Sequence, residues 1–178
     1  MKKRPEATFE FSSGKKVVVE LYADLAPNTC AAFMMLARQG CFDNAEIERV
    51  EPGKLIEPSC RDFNDPRCKI AIANEAKLPG APKYEEGCIA MGGYKGMIIG
   101  GDFYFTLCYV EAYDGEYPVF GKVKSGYEEL QRLGSVPVKE AGTRFIIHVP
   151  VNKEVLVSVK VDTFGEEYPD PVLEEYKI

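Results

Sequence analysis

The stretch VVVELYADLAPNTCAAFMMLARQGCFDNAEIERVEPG, residues 17–53, contains signals for a strand, a helix and a second strand in that order. Its first six residues are mostly β-branched or aromatic, which favours a β-strand. Pro27 stands in a predicted first helical turn and Gly40 at the predicted stop, while the apolar residues between them recur at helical spacing. The charged segment IERVEPGKLIE, residues 47–57, predicts strands over 45–51 and 54–57 joined by a Pro-Gly turn.

The segments on either side of this stretch add more short strands. Residues 8–11 and 17–22 predict an opening hairpin, and further strands are predicted at 87–91, 103–108, 118–123, 144–149 and 155–162, with a second helix at 127–133. Residues 59–86 are rich in Asn, Asp, Pro and Gly, and predict long surface loops with one short strand near 70–73. Many strands and two helices without regular alternation indicate a barrel or sandwich with capping helices.

Composition limits the function classes. With 178 residues and 46% apolar residues, the chain has room for one domain with a substantial core. The net charge of −6 argues against nucleic-acid binding, and no apolar run approaches the ~18 residues of a membrane span. The N-terminus lacks the apolar segment of a secretory signal. The six cysteines are expected to be reduced and mostly buried, so we expect a cytoplasmic protein.

Two motifs suggest chemistry at first sight. The run GGYKGMIIGG, residues 92–101, resembles a phosphate-binding loop, but it lacks the G-K-[ST] ending and predicted strands take the place of a helix. His148 is the only histidine and lies in an apolar strand, where a structural role is favoured. No Cys/His pair has metal-ligand spacing, so we expect no metal and no cofactor.

Several motifs together resemble the cyclophilins, a family of peptidyl-prolyl cis-trans isomerases. Residues 17–53 are similar to the start of a cyclophilin, GCIAM (87–91) and GDFYFTL (101–107) to two of its strands, and YDGEYPVFGKV (113–123) to a later signature. The closing VDTFGEEYPDP is similar to the tail of bacterial members. The resemblance implies a mainly β fold, an eight-stranded antiparallel β-barrel capped by two α-helices. Within 1–178 the core is expected at about 7–165, with an acidic tail at 166–178.

The resemblance also implies a site in a groove outside the barrel. Arg49 falls on the catalytic arginine, which donates a hydrogen bond to the proline nitrogen. Lys54, Glu57 and Ala112 replace a phenylalanine, a glutamine and a tryptophan of the family's pattern. The full set of implied substrate-binding residues is Lys54, Leu55, Glu57, Met91, Gly92, Gly93, Asp102, Tyr104, Ala112, Tyr113 and Tyr117.

The changed pocket leaves more than one function open. The first hypothesis is an isomerase for X-Pro bonds in peptides and proteins, weakened or altered in specificity. The second is a non-catalytic module that binds a basic or polar peptide through Glu48, Glu57 and Asp102, and the third is a thiol-based redox or metal protein. Glu57 either orients Arg49 or holds it away from the substrate, and Lys54 either extends to solvent or pairs with Glu57 or Glu51. We also expect a monomer and, because Ala112 replaces tryptophan, weak binding of cyclosporin.

Overall fold

The computed structural model describes residues 2–58, 65–143 and 145–177, which form twelve β-strands and two α-helices. In chain order these elements are β1 Glu6–Phe11, β2 Lys16–Leu21, α1 Pro27–Arg38, β3 Ala45–Glu46, β4 Arg49–Glu51, β5 Leu55–Glu57, β6 Ala71–Ile72, β7 Cys88–Tyr94, β8 Met97–Thr106, β9 Val119–Ser125, α2 Tyr127–Leu133, β10 Val138–Ala141, β11 Ile147–Pro150 and β12 Val155–Asp162.

Ten of the strands form one antiparallel sheet that curls back on itself. Its order is β3-β12-β1-β2-β9-β7-β8-β5-β4, with β6 paired to β8, and β10 and β11 form a separate pair. The first and last strands of this order, β3 and β4, are separated in the chain only by Ile47 and Glu48. The two edges of the sheet therefore meet on one chain segment, which gives the barrel-like shape. The mainly β fold with two helices is confirmed, but the number of strands differs from the predicted eight.

The interior of the curled sheet is filled by phenylalanines. Phe9 on β1, Phe33 on α1, Phe42 after α1, and Phe103 and Phe105 on β8 are all buried. The Phe103 ring lies with its centroid 4.9 Å from that of Phe42 and 5.4 Å from that of Phe33, both in edge-to-face geometry. Aromatic pairs prefer this geometry, so the cluster joins α1 firmly to the sheet.

The N-terminus of α1 is capped by a residue distant in sequence. Ala26 at the N-cap position offers no side-chain acceptor. The buried carboxylate of Glu75 takes its place: it accepts hydrogen bonds from Thr29 N at 2.6 Å, Thr29 Oγ1 at 2.7 Å and Asn28 N at 3.2 Å. A carboxylate here also complements the helix dipole. The segment 65–86 is therefore partly internal, whereas the sequence predicted surface loops; residues 59–64 lie outside the described residues.

A Glu75→Ala variant is expected to lose about 1–3 kcal/mol of unfolding free energy, because it leaves buried donors of α1 without their acceptor. Glu75→Gln keeps an acceptor of similar shape and should cost less. Urea denaturation followed by circular dichroism would measure both. A Glu75→Ala protein as stable as wild type would show that the cap contributes nothing.

The glycine-rich run of residues 92–101 builds a hairpin. β7 continues to Tyr94, β8 begins at Met97, and the two residues between them, Lys95 and Gly96, have φ values of 50° and 80°. Two successive positive φ values are typical of a two-residue hairpin loop. A Cβ on Gly93 would lie 1.9 Å from the Met97 carbonyl oxygen, so close backbone approach requires glycine there. The strand predicted at 103–108 therefore begins six residues earlier.

The remaining segments differ from expectation in detail. The strand predicted at 144–149 is observed as β11, which pairs with β10 rather than with the large sheet, and Arg144 lies outside the described residues. The acidic tail lies on the surface, where Val172 and Asn28 exchange two hydrogen bonds of 2.8 and 3.0 Å. Cysteines 30, 41, 68, 88 and 108 are free thiols, while Cys60 is outside the described residues. No helix in the described part of the chain is long and apolar enough to cross a membrane.

Candidate functional site

A cleft of about 580 Å³ lies on the outer face of the sheet. It is bordered by β4, β5, β7 and β8, by the segment between β10 and β11, and by the C-terminal tail. The structure brings nine of the twelve residues predicted for the site into its lining: Arg49, Leu55, Glu57, Gly92, Gly93, Asp102, Tyr104, Tyr113 and Tyr117. Their contacts with a substrate remain predictions.

Three predicted site residues do not line the cleft. Met91 is 0% exposed because strand alternation turns its side chain into the interior core. Ala112 lies exposed in the turn after β8, outside the cleft lining. Lys54 lies at the rim, with Nζ 5.0 Å from the centroid of the Tyr113 ring. Of the two alternatives predicted for Lys54, extension to solvent or pairing with Glu57 or Glu51, the pairing is not formed, because among the described residues Lys54 has no ion pair and its ammonium makes this cation-π contact instead.

Arg49 is fixed at the cleft wall by two glutamates. It occupies the first position of β4 opposite Glu57 on β5, with its side chain 22% exposed. Its Nε donates to Glu51 Oε1 at 2.9 Å, while Nη1 lies 3.4 Å from Glu57 Oε1. Both distances indicate charge-assisted contacts, and the shorter one belongs to Glu51. Glu51 therefore holds the guanidinium by its inner nitrogen, a role that sequence reasoning did not assign.

Glu51 is in turn held by His148 on β11. His148 Nδ1 lies 2.6 Å from Glu51 Oε2, and the His148 backbone N–H donates to Glu51 Oε1 at 3.1 Å. Partial burial acts to raise the pKa of Glu51, but the hydrogen bonds from Arg49 and His148 outweigh it and leave that pKa below its usual value. Glu51 thus stays charged. His148 was predicted to be structural, and here it contacts Glu51, which in turn binds Arg49 in the cleft wall.

Asp102 and Glu57 form a carboxyl pair in the floor of the cleft. Asp102 is 5% exposed on β8, and burial together with the neighbouring Glu57 carboxylate raises its pKa well above the usual value. Two adjacent carboxyls in a poorly solvated site cannot both ionise easily, so burial and the neighbouring Glu57 favour the protonated form of Asp102. The backbone makes room for this side chain, since a Cβ on Gly92 would lie 2.8 Å from Asp102 Oδ2.

Tyrosines form the apolar wall of the cleft. The rings of Tyr113 and Tyr117 meet edge to face with centroids 5.2 Å apart, and those of Tyr104 and Tyr117 at 6.2 Å. Tyr104 and Leu55 are almost fully buried, and burial raises the pKa of Tyr104 far above its usual value. The wall therefore stays uncharged and presents ring surface to a ligand.

Comparison with known proteins assigns this arrangement to a family. The family model described as cyclophilin type peptidyl-prolyl cis-trans isomerase/CLD matches residues 7–161. The chain belongs to the cyclophilin-type peptidyl-prolyl cis-trans isomerase family. It is 29% identical to peptidyl-prolyl cis-trans isomerase-like 1 of Aspergillus fumigatus, over 91% of this chain and 98% of that protein. It is 30% identical to an Arabidopsis thaliana peptidyl-prolyl cis-trans isomerase, over 74% of this chain and 82% of that protein.

The cyclophilin fold is also evident in solved structures. A cyclophilin-type isomerase of Cryptosporidium parvum, crystallised in the presence of the dipeptide Ala-Pro, superposes with a TM-score of 0.73 at 20% sequence identity. The match covers 88% of this chain and 98% of that one. The family and the fold class predicted from sequence are thus confirmed, while the likeness of the tail to bacterial members stays a prediction.

Sequence reasoning missed several residues of this cyclophilin-type cleft. The segment between β10 and β11 contributes Gly142, Thr143 and Phe145, and the tail contributes Tyr176. Phe145 is 62% exposed, and an apolar residue following a glycine-containing loop was a detectable signal. No pattern in the neighbouring sequence indicates that Tyr176 lines the cleft, because its position depends on how the whole tail folds back. Lys69, Tyr94, Ile99 and Ile147 complete the lining.

An Asp102→Asn variant of this cyclophilin-type chain is expected to gain stability over wild type as pH rises. Asp102 has a folded-state pKa above its unfolded value, so its contribution is full at low pH and is lost as pH rises toward the folded pKa. Asparagine does not titrate. The difference in unfolding free energy should therefore grow by up to about 1.4 kcal/mol per pH unit above the unfolded pKa.

Urea denaturation at a series of pH values from about 4 to 8 would measure this growth. Asp170→Asn, which removes the same charge from the exposed tail, is the matched control and should show no such trend. A constant difference between Asp102→Asn and wild type across this range would contradict a raised pKa of Asp102.

Proposed function

We propose that the chain catalyses cis-trans isomerisation of X-Pro bonds in peptides and proteins, with Arg49 as the catalytic residue. The observation that carries this proposal is the placement of Arg49: its guanidinium is anchored through Nε to Glu51 at 2.9 Å and borders a cleft walled by leucine and tyrosines. Membership of the cyclophilin-type isomerase family supports the same function.

The reaction needs binding rather than covalent chemistry. Rotation about an X-Pro bond is slow because the C–N bond has partial double-bond character, with a barrier of about 20 kcal/mol. The twisted amide has a pyramidal nitrogen with a free electron pair, and a donor aimed at that pair stabilises the transition state more than either planar isomer. Arginine remains charged and offers a rigid fork of N–H groups, while Leu55, Tyr104 and Tyr113 supply apolar surface for the proline ring.

The neighbours of Arg49 are the reason to expect weakened or altered activity. Glu57 accepts from Nη1 at 3.4 Å, which competes with donation to a substrate, and Lys54 occupies the face of Tyr113. The carboxyl pair of Glu57 and Asp102 favours the second hypothesis, a cyclophilin-like module that binds peptides without catalysis.

Exchange spectroscopy by NMR on a panel of X-Pro peptides separates the two functions. An isomerase raises the exchange rate of at least one peptide above that seen with an Arg49→Ala variant. A binding module shifts peptide resonances without changing the exchange rate. Equal exchange with wild type and Arg49→Ala across the panel would refute the isomerase.

Cyclosporin is expected to bind weakly. Ala112, which replaces the tryptophan of the family's pattern, lies outside the cleft lining and offers little surface to a macrocycle. Calorimetric titration should give a dissociation constant well above the nanomolar range, and nanomolar binding would contradict the prediction.

We also propose a monomer in the cytoplasm that binds no nucleic acid. A net charge of −6 disfavours phosphate backbones, and five free thiols are typical of a reducing compartment. The family match over residues 7–161 supports a single cyclophilin-like domain over 1–178, with a core at about 7–165 and a tail at 166–178.

A further inference from the structure

One carboxyl oxygen in the cleft floor has no hydrogen-bond partner. Asp102 Oδ1 is buried and contacts no donor among the described residues. The side chain lies on β8 in the cleft lining, and the residue is only 5% exposed. Buried polar atoms in native proteins are nearly always paired, so an unpaired acceptor on a side chain that lines a binding cleft indicates that a donor on the ligand pairs with it once the side chain turns toward the cleft.

The charges around Asp102 favour a donor that is also a cation. Glu57 on β5 lies next to Asp102, and Glu48, just before β4, adds further negative potential. Arg49 opposes them, but it is shared between Glu57 and Glu51. Among the described residues, the charged groups that act most strongly on Asp102 are two carboxylates, Glu57 and Glu48, and one guanidinium, that of Arg49.

The aromatic wall suits the same ligand. Tyr104, Tyr113 and Tyr117 meet edge to face beside the carboxyl pair, and ring faces attract cations. The Tyr113 ring already makes a cation-π contact with an ammonium group, that of Lys54 at the rim, whose Nζ lies 5.0 Å from the ring centroid. A cleft of about 580 Å³ has room for a proline ring and one neighbouring side chain together.

We propose that this cleft selects prolyl peptides with a basic side chain next to the proline, whose cationic head binds the Asp102 and Glu57 carboxyls. The inference rests on the proposed isomerase function and names its substrate class. Binding the cation favours ionisation of Asp102 and so releases a proton. Selectivity for the basic peptide therefore increases with pH, because the release of this proton into solution costs less free energy at higher pH.

Matched pairs of peptides test the proposal directly. Ac-Ala-Arg-Pro-Ala-NH2 and Ac-Ala-Pro-Arg-Ala-NH2 are each compared with the peptide in which neutral citrulline replaces arginine. Calorimetry at pH 6 and pH 8 gives the affinity ratio, and exchange NMR gives the isomerisation rate. In one of the two placements the arginine peptide should bind about five- to tenfold more tightly, which is the gain of a charged over a neutral hydrogen bond. The ratio should be larger at pH 8.

Variants locate the effect. Asp102→Asn and Glu57→Gln should each bring the ratio toward one, whereas Glu128→Gln, which removes a charge from the exposed first turn of α2, should leave it unchanged. A ratio that survives Asp102→Asn would overturn the assignment. The wild-type ratio and its pH dependence test the proposal even if a variant fails to fold.

The outcomes distinguish this inference from the function on which it rests. Equal affinities in both placements at both pH values, with both peptides isomerised, would refute the basic preference and leave the isomerase intact. A clear preference for arginine with no isomerisation of any peptide would refute the isomerase and leave a cation-selective binding module.

Discussion

An Arg49→Lys variant is expected to isomerise its best prolyl peptide about a hundredfold or more slowly than wild type, as is typical when one transition-state donor is lost. Lysine keeps the positive charge but lacks the planar guanidinium, with its several N–H donors in fixed directions. In the wild type Nε is bound to Glu51 at 2.9 Å while Nη1 reaches 3.4 Å from Glu57. A single ammonium cannot hold Glu51 and also point a second donor at the substrate. The ratio kcat/KM from exchange NMR at several peptide concentrations measures the loss.

Two controls give this result its meaning. Arg49→Lys should unfold at nearly the wild-type denaturant concentration, which shows that the loss is not one of folding. Arg49→Ala should be about as slow as Arg49→Lys if the directed N–H groups, rather than the charge, act on the proline nitrogen. A lysine variant with the wild-type rate would reduce Arg49 to a structural ion pair of β4.

Phe103→Ala is expected to cost about 3–5 kcal/mol of unfolding free energy, the range observed when a buried aromatic is truncated. Phe103 contacts the rings of Phe9, Phe33, Phe42 and Phe105, with centroids 4.9–6.0 Å away. Truncation removes these contacts and leaves a cavity between α1 and the sheet. Guanidinium denaturation monitored by circular dichroism measures the loss.

The matched substitution Phe103→Leu keeps most of the volume and should cost clearly less than Phe103→Ala. Val172→Ala, at a side chain 75% exposed on the tail, should change stability by no more than about 0.5 kcal/mol. If the unfolding free energy of Phe103→Ala lay within about 1 kcal/mol of the wild-type value, the core would have closed around the missing ring.

Local signals account for the elements that the sequence predicted well. Pro27 and the stop near Gly40 bracket α1, which runs from Pro27 to Arg38, because both residues act on the backbone directly around them. The placement of Arg49, Tyr104 and Tyr113 came from the family's motifs, whose order along the chain preserves the fold. Composition and periodicity alone reached only a barrel or sandwich.

Interactions between distant segments account for the errors. Glu75 caps α1 from 46 residues away, and His148 supports Glu51 across 97 residues. No local pattern reports such a pairing. The strand predicted over 45–51 is two short strands because each half pairs with a different edge of the sheet, β3 with β12 and β4 with β5. That division depends on closure of the sheet rather than on β-propensity.

The meeting of the two sheet edges on one segment has a consequence for motion. β3 has only two residues and β4 only three, so few backbone hydrogen bonds join β3 to β12 and β4 to β5. Short edge pairings of this kind open with less free energy than the long central strands. Arg49 is the first residue of β4, so we expect that a local opening of β3 and β4 would release it while the phenylalanine core stays folded. Backbone amides flanking Ile47 and Glu48 should then exchange with solvent deuterium sooner than those of β8, and the proposed catalytic guanidinium of Arg49 lies on this short, readily opened segment.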